Sequence, residues 1–71
     1  MQLKVNAMYQ SEKGYIIPRS KFTNDKAVPF AIFEILELEK NGHYIKRHCT
    51  LTRMDIKKAL GLSKRERIEI I

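Results

Sequence analysis

The sequence predicts a small single domain of the α+β class, in which an amino-terminal β-hairpin precedes a core of three helices. Three observations favour this fold class. Apolar and polar residues alternate near the start of the chain, an apolar stripe at helical spacing fills its middle, and cap-like motifs precede two segments near its end. The chain has 71 residues, 44% of them hydrophobic, which is enough for one core but not for two.

The hairpin is predicted over residues 1–20. Apolar and polar side chains alternate over Gln2–Tyr9, the period of a half-buried strand. Gln10–Gly14 is polar and ends in glycine, as turns do, and Tyr15–Pro18 is a second short strand. Pro18 lacks the N–H that a central strand needs, so we expect it at the end of its strand or at a sheet edge.

The first helix is predicted to begin near Pro29, because proline suits the first helical turn, and to end at Asn41 and Gly42. Between these points Glu34 and Glu37 can face water. The apolar stripe opposite them comprises Phe30, Ile32, Phe33, Ile35, Leu36 and Leu38. The residues after this helix, His43–Leu51, have Tyr44 and Ile45 among basic and polar residues, which fits either a short strand or an ordered loop, and we predict an extended segment.

Two further helices complete the predicted helical unit, which covers residues 25–71. Thr52, followed three residues later by Asp55, resembles an amino-terminal cap, and it predicts a helix over residues 53–60 that Gly61 ends. Ser63 and Glu66 have the spacing of a capping box. They predict a third helix from residue 64 to the end of the chain.

Positive charge is concentrated in the second half of the chain. The formal net charge is +6. Residues 41–71 hold eight Lys and Arg against three acidic residues, whereas residues 1–40 hold six against five. Such a basic segment fits a polyanionic partner, although a solvated surface explains it equally well.

Membrane insertion, secretion and internal disulfides are not expected. The longest apolar stretch, Val28–Leu38, is interrupted by Pro29, Glu34 and Glu37 and is far shorter than the ~20 residues of a membrane span. The start of the chain lacks the pattern of a signal peptide. Cys49 is the single cysteine and has no internal partner. A reducing, cytoplasmic location is therefore the expectation.

The segment TRMDIKKALGLSKRERIEII, residues 52–71, has the order helix, glycine turn, capped basic helix. It resembles the helix-turn-helix superfamily, with structural positions held by Ile56, Leu60, Gly61, Leu62 and Ile70. Together with the preceding predicted helix, residues 27–42, it is similar to the three-helix core of winged-helix domains. Residues 15–42 also resemble the entry to winged-helix domains of phage and plasmid replication proteins. Lys57 and Arg67 depart from the superfamily pattern, which favours a small and an aliphatic residue at these positions.

The same segment also resembles AbrB-like swapped-hairpin DNA-binding domains. In that family a short helix ending in Leu-Gly-Leu is followed by a strand, which here would be Arg67–Ile71. This chain departs from that family at Arg65 and Glu66, where the family tends to have Gly-Asp. Both resemblances imply contact with double-stranded DNA.

The resemblance implies a small DNA-binding protein, either a transcriptional regulator or a replication or recombination accessory factor. The third helix would enter a groove and bring Ser63, Lys64, Arg65 and Arg67 to the DNA, since arginine pairs with guanine edges and lysine supplies a point charge. Phosphate contacts would come from the cations that precede it, Arg47, Arg53, Lys57 and Lys58. The alternative is a protein-interaction module, such as a small adaptor or inhibitor, and a homodimer stays open.

No enzyme activity, cofactor, metal site or small-molecule substrate is expected. His43, His48 and Cys49 lie close in sequence, but no second cluster at metal-ligand spacing accompanies them, and adjacent residues of an extended segment point to opposite faces. Tyr15 and Tyr44, together with Tyr9, would be able to stack on bases if they shared an exposed sheet face. Aromatic residues among apolar ones are more often part of a core.

Overall fold

The structure, a computed structural model that describes residues 1–71, consists of one helix and six strands. In chain order these are β1 (Gln2–Leu3), β2 (Tyr9–Ser11), β3 (Gly14–Pro18), β4 (Phe30–Leu38), β5 (Tyr44–Thr52), α1 (Arg53–Leu60) and β6 (Glu69–Ile70).

Four strands form an antiparallel sheet in the order β2, β3, β4, β5, so each strand pairs with its neighbour in sequence. Ile16 of β3 lies opposite Ile35 of β4, and Phe33 of β4 lies opposite Cys49 of β5. A separate two-stranded sheet joins the ends of the chain, because β1 and β6 run parallel with Leu3 opposite Ile70.

The core lies on one face of the four-stranded sheet, which we call the helix side because α1 covers it. Seven buried side chains form the core cluster: Leu3, Ile16, Ala31, Phe33, Ile56, Ile68 and Ile70. They come from β1, β3, β4, α1 and the segment of β6, so both ends of the chain are anchored on the helix side. No helix or strand covers the opposite face, although Ile17 and Glu34 are buried there.

The predicted first helix is wrong, because Phe30–Leu38 is strand β4. The segment FAIFEILEL is rich in aromatic and β-branched residues, which fit a pleated surface, and its apolar residues satisfy a period of two as well as a helical one. Asn41 and Gly42 do not end a helix. They lie in the loop that joins β4 to β5, where the N–H of Glu39 donates to the carbonyl of His43 over 2.7 Å, and Asn-Gly is a strong hairpin signal.

The predicted third helix is also wrong. The N–H of Glu66 donates to the carbonyl of Ser63 over 3.2 Å, so the supposed capping box closes a single turn. Beyond it, Ile68 and Ile70 are buried and Glu69 is exposed, which is the alternation of a strand and places both isoleucines in the core. A helical path would separate these two side chains by about 200° around its axis.

These two corrections exclude the helix-turn-helix and winged-helix resemblances, since the chain has one helix and not three. The AbrB-like resemblance keeps only its local order of helix, glycine and strand. In this structure β6 pairs in parallel with β1 of the same chain, so no hairpin is exchanged.

The prediction of a helix over residues 53–60 is confirmed. Thr52 and Asp55 form a complete capping box: the Asp55 N–H donates to the Thr52 hydroxyl, and the Thr52 N–H donates to the Asp55 carboxylate over 2.9 Å. Gly61 ends the helix in the left-handed conformation, with φ of 66°. The extended segment predicted from His43 is confirmed as β5.

The predicted hairpin is correct at its second strand, but its turn is shorter than predicted, because Gln10 and Ser11 belong to β2, Gly14 belongs to β3, and only Glu12 and Lys13 join the two strands. Its first strand is divided, because Gln2–Leu3 pairs with β6 instead. Gly14 is required at the turn: its φ is 153°, and a side chain there would overlap the carbonyl oxygen of Leu36 on β4. The absent side chain lets β3 approach β4 closely at this end of the sheet.

Candidate functional site

The uncovered face of the four-stranded sheet, which we call the open face, carries an unusual mixture of side chains. Strand alternation and register place aromatic, apolar and charged residues on it together. Its members are Gln10, Tyr15, Ile17, Arg19, Ile32, Glu34, Leu36, Leu38, Tyr44, Lys46, His48 and Thr50.

Two tyrosines form a pair at the loop end of the open face. Tyr15 of β3 lies opposite Leu36 of β4, and Tyr44 of β5 lies opposite Leu38. The two rings therefore approach each other across β4, with centroids 6.1 Å apart and planes at 43°. Tyr44 is 50% exposed and Leu38 is 52% exposed. The pair offers aromatic surface to a ligand instead of filling a core.

A buried carboxylate lies at the centre of the open face. Glu34 is only 3% exposed, because Arg19 and Lys46 reach over it from the two sides. The Lys46 ammonium lies 2.8 Å from one carboxylate oxygen, and the Arg19 guanidinium donates to the other, with Nε at 2.8 Å. Arg19 also donates to the side chain of Asn6 over 2.8 Å, which fixes its orientation.

These contacts set the charge state of Glu34. Hydrogen bonds from Lys46 and then Arg19 lower its pKa from 4.5 to about 2, against the opposing effect of burial. Glu34 is thus ionised, and its charge is matched by two cations. The face as a whole keeps one excess positive charge, and the exposed imidazole of His48 lies directly opposite Glu34 on β5.

Two of the predicted DNA-contacting arginines are held by contacts within the chain. Arg47 points to the helix side and forms an ion pair with Glu37. Arg53 stacks on Phe22, with its guanidinium carbon 3.9 Å from the ring centroid, and its Nε donates to the carbonyl of Ile68 over 3.1 Å. Arg53 therefore fastens the carboxy-terminal segment to the rest of the domain.

The two lysines of α1 differ in their surroundings. The Lys57 ammonium donates to the carbonyl of Lys64 over 2.9 Å, which holds the turn after α1 against the helix. Lys58 is exposed. Both belong to α1, so both lie on the helix side of the sheet, away from the tyrosine pair.

The remaining predicted contacts lie in the segment between α1 and β6. Ser63, Lys64, Arg65 and Arg67 are all exposed, and the first three belong to the turn closed by Glu66. They do not form the first turn of a recognition helix. The structure leaves them as exposed cations and a hydroxyl on the helix side of the molecule, where a role in nucleic-acid contact stays a prediction.

From the sequence, base stacking by the tyrosines depended on their sharing one exposed sheet face. Tyr15 and Tyr44 lie on the same sheet face, because their partners on β4, Leu36 and Leu38, are two residues apart and point to the same side. Tyr9 points to the helix side, where its hydroxyl accepts a hydrogen bond from the Lys4 N–H over 2.7 Å. The sequence does contain a signal for this arrangement, because alternate residues of a strand point to the same face. Using it required the knowledge that β4 is a strand and not a helix.

The side chains considered for metal or thiol chemistry are separated. His48 lies on the open face, whereas Cys49 faces the helix side, as expected for neighbours in a strand. Burial raises the pKa of the Cys49 thiol, which favours the unreactive protonated form. No three His, Cys, Asp or Glu side chains come together as a metal site would need.

Fold and surface together define a small two-layer protein: an antiparallel sheet covered on one face by a short helix and open on the other. No helix in it has the length and apolar character that crossing a membrane requires. Comparison of the chain with protein families, curated proteins and solved structures finds no match.

Proposed function

We propose that this protein binds single-stranded nucleic acid on its open face and catalyses no reaction. The observation that carries the proposal is the tyrosine pair, the half-buried Tyr15 and the exposed Tyr44, on the same face as two cations, Arg19 and Lys46, that exceed the charge of Glu34 by one. Proteins that bind single strands combine aromatic stacking platforms with a positively charged path for the backbone. Both elements occur here on one uncovered surface.

The tyrosine pair supplies the base contacts. A base stacked on an aromatic side chain gains about 1 to 3 kcal/mol, whatever its identity, because every base has a π face. Leu38, next to Tyr44, extends the apolar surface. In a regular duplex the faces of the bases are already stacked on each other, so this platform favours an unpaired strand.

The charges set the path of the backbone. Glu34 at the centre of the face repels phosphate, while the Lys46 ammonium and the hydrogen-bonding imidazole of His48 lie toward the β5 edge. The phosphates therefore follow β5, and the bases turn inward over the tyrosine pair. The net charge of +6 attracts any polyanion over longer distances.

Double-stranded DNA, the partner expected from the sequence, belongs in the test as a second ligand. Its support is the set of exposed cations between α1 and β6, namely Lys64, Arg65 and Arg67. A regulator or a replication or recombination accessory factor would use either form of DNA. We place this role in the cytoplasm, where the free thiol of Cys49 is compatible with a reducing environment.

The test is fluorescence anisotropy with one labelled sequence as single-stranded DNA, as RNA and as a duplex. We expect the single strands to bind more tightly than the duplex. Replacing Tyr44 by Leu keeps an apolar side chain but removes the ring, so affinity should fall by about 1 to 3 kcal/mol. Tyr44→Phe keeps the ring and should bind like the unmodified protein.

Met54 offers a matched control. It lies on α1, on the other layer, and is 53% exposed, so Met54→Ala removes a similarly exposed apolar side chain without touching the open face. Equal losses in Tyr44→Leu and Met54→Ala would contradict the open-face proposal. So would a preference for the duplex, or no binding to any of the three ligands near physiological salt.

A protein-interaction module is the second candidate function. The observation that favours it is the long, exposed edge of β5, since extended peptides bind by adding a strand to such edges. An apolar tail gives it less support, because Ile68 and Ile70 are buried in the core and only Ile71 is exposed. Failure of nucleic-acid binding would move this function to first place.

A further inference from the structure

The outer edge of β5 carries a row of unpartnered backbone groups. The N–H of Glu39 donates to the carbonyl of His43, so the odd-numbered residues of β5 direct their backbone groups toward β4. The even-numbered residues direct theirs outward, and no hydrogen bond inside the chain uses them over residues 44–50. These outward-facing residues are Tyr44, Lys46, His48 and Thr50. At Thr52 the edge ends, because the Asp55 carboxylate takes its N–H.

The cations of β5 do not guard this edge. Lysine and arginine on an edge strand often prevent pairing with another chain. Here Lys46 forms its ion pair with Glu34 and Arg47 forms its own with Glu37, and both glutamates belong to β4. The two side chains therefore lean inward over the sheet, and their charges are matched within the chain.

We propose that two copies of this chain pair through β5, antiparallel, about a two-fold axis at His48. In this register Lys46 lies opposite Thr50 of the second copy, and Ile45 lies opposite Leu51. The outward-facing groups of three residue pairs then form about six hydrogen bonds. A two-fold interface must be self-complementary, and here no lysine or arginine faces another.

Neighbouring registers are less favourable. Moving the axis toward the start of β5 places Arg47, and then Lys46, opposite its own copy, where like charges destabilise a pair. Moving the axis toward the end of β5 would require a hydrogen bond between the copies from the Thr52 N–H, which already donates to the Asp55 carboxylate in the cap of α1. The His48 register avoids both problems.

The pairing extends the architecture without any ligand. The axis is perpendicular to the sheet, so the two sheets become one sheet of eight strands with both open faces on the same side. An unrelated extended peptide would satisfy the same edge but would give no symmetric dimer, and this difference is measurable.

Sedimentation equilibrium of the unmodified protein, up to millimolar concentration, tests whether a dimer forms. His48→Pro removes one outward N–H and no bond to β4. Since the axis passes through this residue, two hydrogen bonds are lost per dimer, and the dissociation constant should rise by about tenfold or more. Circular dichroism checks that the variant is folded. A monomer at all concentrations, or a folded His48→Pro variant that dimerises as before, overturns the proposal.

Disulfide trapping tests the register without relying on His48→Pro. With Cys49→Ser as background, His48→Cys brings the two thiols to a hydrogen-bonded pair about 5.5 Å apart between Cα atoms, within disulfide range. The control is Lys46→Cys in the same background, whose two copies are offset by about 13 Å. Under diamide, the first variant should cross-link far more than the second. Equal cross-linking, or more in the control, overturns the register.

Discussion

Glu34 shows how a charge becomes acceptable inside an otherwise exposed face. Both of its carboxylate oxygens are occupied, one by Lys46 and one by Arg19, so the desolvated charge has hydrogen-bond partners on each side. The three side chains connect β4, β5 and the residue that follows β3 across the open face. The ionised form of Glu34 therefore stabilises the folded state.

The first prediction concerns the pH dependence of stability. The pKa of Glu34 is lowered from 4.5 to about 2 on folding, so its stabilising effect is present above about 4.5. It is lost as the pH falls from there to about 2, because the unfolded state takes up the proton first. The melting temperature should fall through this window. In Glu34→Gln this part of the fall should disappear.

Glu39→Gln is the control for this measurement, since Glu39 is exposed and has no ion pair. Its melting temperature should fall with decreasing pH as that of the unmodified protein does. If both variants lose stability with acid to the same extent as the unmodified protein, other carboxylates account for the effect and the role given to Glu34 is wrong.

At the scale of elements, two similar motifs near the end of the chain have different outcomes. Thr52 and Asp55 cap a real helix, whose Ile56 is buried against the sheet. Ser63 and Glu66 have a comparable spacing but close one turn, after which the chain is extended. The difference lies in the residues after each motif, because α1 can bury one face, whereas Ile68 and Ile70 reach the core only from a strand.

The second prediction compares these motifs directly. Thr52→Ala removes the side-chain acceptor of the Asp55 N–H and should lower the free energy of unfolding by about 1 kcal/mol. Ser63→Ala removes no cap and should change it by less than about 0.5 kcal/mol. Urea unfolding measures both, with Thr50→Ala on the exposed strand as a further reference. If Ser63→Ala lowers the free energy of unfolding as much as Thr52→Ala does, the result would support the capped third helix predicted from the sequence.

At the scale of the whole molecule, the cluster of cations near the carboxy terminus lies on a different layer from the tyrosine pair. The tyrosine pair is on the open face, whereas Lys58, Lys64, Arg65 and Arg67 are exposed on the helix side. If the open face binds the nucleic acid, the helix-side cations contribute only through the overall field. If these cations contact phosphates directly, each of them adds its own contribution to the binding affinity.

The third prediction separates these cases with two double variants of equal net charge. Arg65→Glu with Arg67→Glu, and Lys4→Glu with Lys26→Glu, should weaken single-strand binding to a similar extent, through the diffuse field. The slope of log affinity against log salt, about 0.7 per phosphate contact on a single strand, should stay alike in the two.

Anisotropy titrations at several salt concentrations give both quantities, once each variant is shown to be folded. A much larger loss and a flatter slope for the Arg65 and Arg67 pair would move the interface to the helix side. That result would support the contact residues predicted from the sequence.

Local sequence was sufficient to predict the helix α1, with its Thr52 cap and its Gly61 end, as well as the presence of a turn within Gln10–Gly14, though not its length, and the extended character of β5. These features depend on backbone preferences and hydrogen bonds within a few residues of each other. The concentration of positive charge near the carboxy terminus could likewise be read directly from the sequence, since it depends on composition alone.

Tertiary pairing was needed to decide the state of Phe30–Leu38, a segment whose apolar pattern suits a helix or a strand. It becomes a strand because β3 and β5 lie on its two sides and satisfy its backbone, contacts that no local pattern contains. The same pairing decided which tyrosines share the open face, since a register shift of one residue would send Tyr15 or Tyr44 to the other side. The candidate site therefore depends on hydrogen bonds between strands, which join residues distant in sequence.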